Sequence, residues 1–241
     1  MKICALIAAY NEKERIGQLI LQIREVEGIS DVIVVDDGSV DNTYEEAKKA
    51  GAIVLRHEKN KGKGAALRTG FSYIKSKDYG AVITLDGDGQ HKYSEIPNFI
   101  EAYKKGDADI VVGSRMLARH RISGGMQCKD LPSSKKQAGM PFIRYATNHF
   151  TSFITSVLSR SSVSDSQSGF RLISTDALKK IELSTSNFEI ESEVIIKAAR
   201  KGFKIKEIPI STVYLAESTK RSKINPFIDT LRFFRFVLKN L

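Results

Sequence analysis

The 241-residue sequence contains little cysteine and no long apolar run. Its two cysteines, Cys4 and Cys128, are too distant for a disulfide framework and lack metal-ligand spacing. No apolar run approaches the roughly 20 residues that span a bilayer, and the apolar start is too short for a signal peptide and lacks a cleavage site. These absences predict a cytoplasmic protein without a transmembrane segment, either soluble or at a membrane surface, with Cys4 as a buried thiol.

Acidic residues are also under-represented relative to basic ones. The chain has 38 Lys and Arg against 28 Asp and Glu, which gives a formal net charge of +10 and a pI of about 9.5. Such a balance predicts an anionic partner, which is a nucleic acid, an anionic membrane or a phosphorylated ligand. Length and an apolar content of 41% indicate one large globular domain, with or without an appendage.

Strand and helix patterns alternate through the first 115 residues. This alternation predicts an α/β domain with a mostly parallel central sheet and helices on both faces. Strands are predicted at 2–9, 31–35, 52–55, 80–85 and 109–112, and helices at 12–26, 44–50, 62–77 and 96–105.

Polar clusters follow these strands at the edge where open parallel sheets bind their ligands. The most informative is 86–91, Asp-Gly-Asp-Gly-Gln-His, because residues i and i+2 of an extended chain point to the same side. Asp86 and Asp88 can therefore aim at one hard cation. Turn chemistry alone explains an isolated motif of this kind, and the neighbouring clusters 10–12, 36–37 and 114–115 favour a site.

The second half of the chain is basic and more irregular. Residues 117–139 are predicted to be a solvated loop or a lid over a ligand, followed by an amphipathic helix at 141–158. Residues 203–210, which include Pro209, have the pattern of an edge strand. A final helix at 226–241 is predicted to place Arg232, Arg235 and Lys239 on one face, and to lie in a membrane interface or dock on the domain or on a second subunit. Its apolar face is predicted to contain Phe227, Ile228, Leu231, Phe234, Val237, Leu238 and Leu241.

Five motifs in this order carry a resemblance to a known family. They are Ala-Tyr-Asn-Glu at 9–12, Val-Val-Asp-Asp-Gly-Ser at 34–39, Gly-Lys-Gly-Ala-Ala-Leu at 62–67, the 86–91 motif and Ser-Gly-Phe-Arg at 168–171. From about residue 3 to residue 209 the chain resembles a family 2 glycosyltransferase with the GT-A fold of nucleotide-diphospho-sugar transferases. Within the family it is most similar to the dolichol-phosphate mannosyltransferase and polyprenyl-phosphate glycosyltransferase branch.

The resemblance implies a role for each matching residue. Ala8, Tyr10, Glu12, Asp37 and Asp86 would form the nucleotide-sugar pocket, although relatives commonly have Pro where this chain has Ala8. Mg²⁺ or Mn²⁺ would bind to Asp86, Asp88 and Gln90, and the catalytic set would be Asp88, Arg115 and Arg171. His91 is left open between a ligand and a structural role, and Lys63 is interpreted as a solvated residue at a tight helix start.

The expected reaction is metal-dependent, inverting transfer of a sugar from a GDP-mannose or UDP-glucose type of donor to a polyprenyl or dolichyl phosphate. An acceptor phosphate is already an anion near neutral pH and needs no base, and no Glu-Asp pair occurs late in the domain. Glu189, Glu191 and Glu193 are interpreted mainly as acids at a helix start. The alternatives are a hydroxyl acceptor such as a glycan, or a non-catalytic nucleotide-sugar-binding protein.

The predicted organisation is a GT-A domain over 1–215 followed by a basic amphipathic segment over 216–241. Within the domain, 1–115 is the nucleotide-binding half and 116–215 the acceptor half. The basic cluster 220–223 is a candidate for contact with a lipid head group at the cytoplasmic face of a membrane. No nucleic-acid module is recognisable, and a homodimer is left open.

Overall fold

The computed structural model of this chain describes residues 1–117, 142–211 and 232–238. Seven strands form one sheet: β1 (Ile3–Ala9), β2 (Ile29–Asp36), β3 (Ile53–Arg56), β4 (Ala81–Asp86), β5 (Ile110–Ser114), β6 (Arg171–Ser174) and β7 (Ile205–Pro209). Their order across the sheet is β3-β2-β1-β4-β6-β5-β7.

All neighbouring strands are parallel except where β6 is inserted antiparallel between β4 and β5. The predicted mostly parallel sheet is therefore confirmed. The edge position of β7 is confirmed too. Proline has no backbone N–H to donate, and an edge strand tolerates Pro209 because one of its sides has no neighbouring strand to bond. Since β6 and β7 come from the predicted acceptor half, both halves share one sheet, and the division at residue 115 stays a prediction.

Helices accompany the strands in the described part of the chain. They are α1 (Ile16–Arg24), α2 (Thr43–Lys49), α3 (Lys63–Lys75), α4 (Ile96–Lys104), α5 (Phe142–Ser159), α6 (Thr175–Lys180) and α7 (Ile190–Arg200). The sequence interpretation did not include α6, a short helix whose cap is Ser174, which accepts a hydrogen bond from the backbone N–H of Ala177. Residues 232–238 are also helical.

Alternate residues of the central strands feed two hydrophobic cores, one on each face of the sheet. In β1, Ile7 faces the core with α1 and α4, and Leu6 faces the core with α3 and α7. Cys4 lies in the second core as the predicted buried thiol, and burial raises its pKa to about 12. Helices on both faces of the sheet are thus confirmed.

Several predictions fall outside the described residues. The basic loop at 117–139 lies there except for its first residue, and so do the cluster 220–223 and most of the terminal helix 226–241. No helix in the described ranges has the length and apolarity needed to cross a membrane.

Phe99 gives a test of the first core. Its ring is fully buried on α4, with its centroid 4.2 Å from that of Phe170. We expect Phe99→Ala to lower the free energy of unfolding by about 3–5 kcal/mol, because it removes buried area and leaves a cavity. The matched control is Leu21→Ala on the exposed face of α1, with an expected change within about 0.5 kcal/mol. Denaturant titration measures both, and equal losses would contradict this core assignment.

Candidate active site

The candidate site is built around the carboxyl end of β4. Asp86 is the last residue of β4 and lies in register with Ala8 on β1. Lys63 Nζ, from α3, lies 2.5 Å from Asp86 Oδ1. Burial alone would raise the pKa of Asp86, but the Lys63 ammonium outweighs burial and lowers the pKa to about 2. Asp86 is therefore a carboxylate over the ordinary pH range.

Asp88 stands beside Asp86 on the turn that follows β4. Its Oδ1 accepts a hydrogen bond of 3.0 Å from the backbone N–H of Gln90. Burial, and then the negative charge of Asp86, raise the pKa of Asp88 to about 6. The structure thus brings the two predicted carboxylates close enough to repel each other.

A divalent cation fits this pair of carboxylates. It would remove the repulsion that raises the pKa of Asp88, and carboxylate oxygens suit Mg²⁺ and Mn²⁺. Within the described ranges, no group of three or more His, Cys, Asp and Glu side chains is arranged to hold a metal ion. The chain would therefore supply two carboxylates, with the Gln90 carboxamide as a predicted third donor, and leave room for phosphate oxygens. Metal binding and the role of Gln90 stay predictions.

Lys63 is a largely buried cation that the sequence interpretation missed. Its side chain is 17% exposed, and its Nζ lies 2.7 Å from Glu191 Oε1 as well as beside Asp86. Burial lowers its pKa, but the charges of Asp86 and Glu191 outweigh burial and hold the pKa of Lys63 above its usual range. The interpretation of Lys63 as a solvated residue is wrong. Glu191, 4% exposed, is a buried ion-pair partner as well as an acid in the first turn of α7.

The signal that could have identified Lys63 is the glycine on each side of it. A Cβ at Gly64 would lie 2.7 Å from the backbone oxygen of Asn187, so only glycine lets that loop cover the start of α3. Gly169 matters in the same way, because a Cβ there would lie 2.8 Å from Asp86 Oδ1 and 2.9 Å from Lys63 Nζ. Close backbone approach from two sides buries the ion pair.

Asp37 lies at the end of β2 with its carboxylate turned inward. It accepts hydrogen bonds from the backbone N–H groups of Lys61 at 2.9 Å and Gly62 at 2.8 Å. His57 Nδ1 lies 2.7 Å from the same carboxylate, and His57 Nε2 lies 2.9 Å from the Thr69 hydroxyl. Asp37 therefore shapes the turn before α3, and its predicted contact with a base or ribose stays a prediction. The sequence interpretation did not include His57.

The turns after β1 and β2 are joined by hydrogen bonds. The backbone N–H of Asn11 donates to the Ser39 hydroxyl at 2.9 Å, and that of Glu12 donates to the Thr43 hydroxyl at 2.7 Å. These bonds explain why α1 begins at Ile16 and not at the predicted residue 12. They also place Tyr10 and Glu12 in the same turn, beside Ala8 at the end of β1. Contacts of Ala8, Tyr10 and Glu12 with a nucleotide stay predictions.

Arg115 follows β5 and holds a carboxylate that the sequence interpretation did not identify. Its Nε and Nη2 donate to the two oxygens of Asp165, each at 2.7 Å. Asp165 is fully buried, and although burial opposes it, the Arg115 charge holds the pKa of Asp165 below its usual range. Arg115 also lies close enough to lower the pKa of Asp86 further. Its predicted contact with phosphates or an acceptor stays a prediction.

Arg171 is buried, with 2% of its surface exposed. Its Nε donates to the Ser168 carbonyl at 2.7 Å and its Nη2 to the Ser166 carbonyl at 2.6 Å, and Nη1 donates to the Glu191 carbonyl. Burial lowers the pKa of Arg171 to about 10, so it remains charged at neutral pH. These bonds give Arg171 a positioning role that joins the 165–169 loop to α7. Its predicted direct contact with a ligand stays a prediction.

His91 completes the turn in a structural role. Its Nδ1 accepts a hydrogen bond of 3.2 Å from the backbone N–H of Asp86, and its ring stacks on Phe170 at 5.1 Å. Burial lowers the pKa of His91 to about 4, so the ring is neutral at pH 7. Of the two roles left open for His91, the structure favours the structural one.

Sequence comparison can now be set beside this geometry. Residues 4–181 match the family described as Glycosyl transferase family 2. The chain belongs to this family. The predicted family and the predicted enzyme class, glycosyltransferase, are confirmed, and the match includes Asp37, Asp86, Asp88, Arg115 and Arg171.

Two relatives place the chain within the family. It is 33% identical over 254 residues to UDP-N-acetylglucosamine–dolichyl-phosphate N-acetylglucosaminyltransferase of Methanococcus voltae, which covers 97% of this chain and 94% of the relative. It is 28% identical over 249 residues to dolichol-phosphate mannosyltransferase of Pyrococcus furiosus, which covers 99% of this chain and 64% of the relative. The predicted resemblance to this branch is confirmed.

A solved structure supports the fold. Glucosyl-3-phosphoglycerate synthase from Mycobacterium tuberculosis, in complex with Mn²⁺, UDP and phosphoglyceric acid, has a TM-score of 0.69 and 17% identity to this chain. The alignment covers 99% of this chain and 76% of that one. The GT-A fold is confirmed.

Replacement of Lys63 by Met tests the buried ion pairs. The variant keeps the length of the side chain but leaves Asp86 and Glu191 without their cation, so we expect a loss of about 3–5 kcal/mol in the free energy of unfolding. The matched control is Lys180→Met, which breaks the exposed pair with Asp176 and should cost less than about 1 kcal/mol. Denaturant titration of both variants measures the difference. Similar small losses would show that Lys63 is solvated after all.

Asp88 predicts a dependence of stability on pH in protein kept free of divalent cations. The folded protein holds a proton on Asp88 up to about pH 6, whereas an unfolded aspartate releases it near pH ~3.9. The folded state therefore binds more protons between these values, and the contribution of Asp88 to stability is lost as the pH rises from about 4 to 6. In EDTA, the free energy of unfolding of the wild type should fall relative to that of Asp88→Asn between about pH 4 and 6. Above this window the difference between the two proteins should stay constant. Parallel curves from pH 4 onwards would contradict the raised pKa.

Proposed function

We propose that this chain transfers a sugar from a nucleotide-diphosphate sugar to a polyprenyl phosphate at the cytoplasmic surface of a membrane, and that Mg²⁺ or Mn²⁺ assists at the donor diphosphate. The relatives named for dolichyl-phosphate and dolichol-phosphate acceptors support this class of acceptor. The complex of the synthase with Mn²⁺ and UDP supports the donor class and the metal.

The observation that carries the proposal is the paired carboxylates at the end of β4. When bound, the cation would neutralise charge that develops on the departing diphosphate. Asp86 and Asp88 would hold it, and Lys63 and Arg115 contribute positive charge close to Asp86. The turns after β1 and β2 are hydrogen-bonded to each other, and we propose that the nucleotide lies against them beside Tyr10 and Asp37.

The state of the acidic side chains beside the site supports the proposed class of acceptor. A carboxylate that already holds a cation or an N–H group is a poor base, because its charged form is stabilised. Each of the following has such a partner: Asp165 with Arg115, Glu191 with Lys63, and Glu193 with Lys197. An acceptor phosphate, already an anion, suits such a site better than a hydroxyl that must lose a proton.

The proposed step is a single displacement at the anomeric carbon. A phosphate oxygen of the acceptor forms a bond to that carbon while the bond to the donor diphosphate breaks, and the electron pair leaves with the nucleoside diphosphate. The attacking and departing oxygens lie on opposite sides, so the anomeric configuration inverts. No proton has to be removed from the acceptor.

The test is transfer of label from a panel of radiolabelled GDP- and UDP-sugars to a polyprenyl phosphate in detergent. With Mg²⁺ or Mn²⁺ present, we expect label in the organic extract in an acid-labile linkage. With EDTA in place of the cation, we expect no transfer of label to the extract. Asp88→Asn should reduce the rate by about 10²–10³-fold, because it removes charge that holds the cation. The matched control, Asp176→Asn on the surface of α6, should retain wild-type activity.

Three results would contradict the proposal. Label that appears only in a hydroxyl acceptor would assign the other class of family 2 transferase. Binding of a nucleotide sugar without any transfer would assign a non-catalytic role. Equal activity of wild type and Asp88→Asn would remove the metal assignment while leaving the acceptor assignment standing.

A further inference from the structure

Helix α5 presents three large apolar side chains to solvent. Phe150 is 45% exposed, Phe153 67% and Val157 61%, and their spacing of three and four residues places them in one stripe. The sequence pattern predicted an amphipathic helix at 141–158. Large apolar side chains in a continuous stripe usually mark a surface that something covers.

The inward face of α5 is polar, which is the reverse of an ordinary surface helix. Its buried side chains are Asn148, Thr151, Ser152, Thr155 and Ser159. They bond to elements of the site: the Ser152 hydroxyl accepts from the backbone N–H of Ser166 at 2.9 Å, and the Thr155 hydroxyl lies 3.1 Å from that of Ser192 on α7. The polar face is thus committed to the protein. Of the apolar side chains, Ile154 and Leu158 pack on the cluster that contains Ile196, and Phe150, Phe153 and Val157 are left outside.

The helix at 232–238 extends the exposed stripe. It docks on the domain through Phe233, Phe236 and Val237, which are buried in a small cluster with Ile196. Of the predicted apolar face, Val237 is therefore buried, whereas Phe234 and Leu238 are 41% and 73% exposed. The Phe234 ring lies 5.7 Å from that of Phe150. We call Phe150, Phe153, Val157, Phe234 and Leu238 the outer apolar surface.

Positive charge accompanies the outer apolar surface. Arg160 and Arg235 are exposed, and Arg160 lines a cleft together with Val157 and Arg200. Neither α5 nor the 232–238 helix contains an Asp or Glu. An apolar stripe bordered by arginines is complementary to lipid chains below anionic head groups.

We propose that the outer apolar surface docks on an anionic lipid bilayer. A second copy of the chain is a poorer occupant, because a two-fold contact would bring the same arginines together in a protein with a formal net charge of +10. The inference rests on the proposed function, which requires a membrane, and adds which face of the protein meets that membrane. Helix α5, about 10 Å thick, would then meet the lipid on one side and hold the 165–169 loop with its hydroxyl groups on the other.

The test is co-sedimentation with vesicles of phosphatidylcholine, alone or with phosphatidylglycerol, in the absence of nucleotide sugar and polyprenyl phosphate. We expect the full chain to bind the anionic vesicles at least 10-fold more tightly than the neutral ones. The double variant Phe153→Ser/Val157→Ser should weaken that binding by about 10-fold or more, because both side chains are exposed and would enter the lipid. Arg160→Gln/Arg235→Gln should weaken it by about 10-fold and make it less dependent on salt.

Matched controls change equally exposed residues elsewhere. Leu21→Ser/Val40→Ser and Lys75→Gln/Lys104→Gln should bind as wild type does. Unchanged thermal unfolding of the Phe153→Ser/Val157→Ser variant shows that its fold is intact, and light scattering reports the oligomeric state.

Two outcomes would overturn the inference. One is equal vesicle binding by wild type and Phe153→Ser/Val157→Ser. The other is a wild-type dimer that this variant makes monomeric, which would assign the surface to a second copy. The vesicles contain no acceptor, so the two proposals can fail separately. A protein that binds vesicles but transfers no sugar in detergent would refute only the proposed function. A protein that transfers sugar in detergent but does not bind vesicles would refute only the docking surface.

Discussion

The arrangement of the site depends on one ammonium group between two carboxylates. Lys63 at the start of α3 holds Asp86 at the end of β4 and Glu191 in the first turn of α7, at 2.5 and 2.7 Å. A buried carboxylate without a cation is costly, so these three elements stay together or separate at a large cost in free energy. The same contact joins the predicted nucleotide-binding half to the predicted acceptor half. The carboxylate pair can therefore be rigid although Asp88 lies on a turn.

Two arginines, of which Arg171 is buried and Arg115 is partly buried, extend this network to the loop at 165–169. Arg171 donates to carbonyls of Ser166 and Ser168, and Arg115 grips Asp165 with both arms of its guanidinium. Polar groups that satisfy one another in a region of low dielectric strengthen each other, and the network is specific because each bond needs its own geometry. Arg115 and Arg171, which are predicted to contact ligands, thus also hold the 165–169 loop in place beside the site. Catalysis that relies on fixed charges needs rigid surroundings of this kind.

Much of the fold was predictable because it rests on local periodicity. The strand and helix patterns through residue 115 identify the parallel sheet, and the strand-end clusters identify the edge where Asp86 and Asp88 meet. The burial of Lys63 was not predictable in the same way, because its partners are Asp86 in the next strand and Glu191 far along the chain. Asp165 and His57 were missed for the same reason, since their bonds to Arg115 and Asp37 exist only after folding. The outward direction of the exposed stripe on α5 was not predictable, because periodicity reports which residues share a side of a helix and not which side is covered.

The exposed apolar stripe of α5 links the proposed docking on a membrane to the candidate site. Its inward hydroxyl groups bond to Ser166 and Ser192, so the helix cannot turn its apolar side inward without breaking bonds that hold the loop carrying Asp165. The exposed phenylalanines follow from that commitment, and their exposure costs least when a partner covers them. A ligand that binds only the folded form of α5 stabilises everything that the helix holds in place. Covering the outer apolar surface therefore also stabilises the loop on which Arg115 and Arg171 depend.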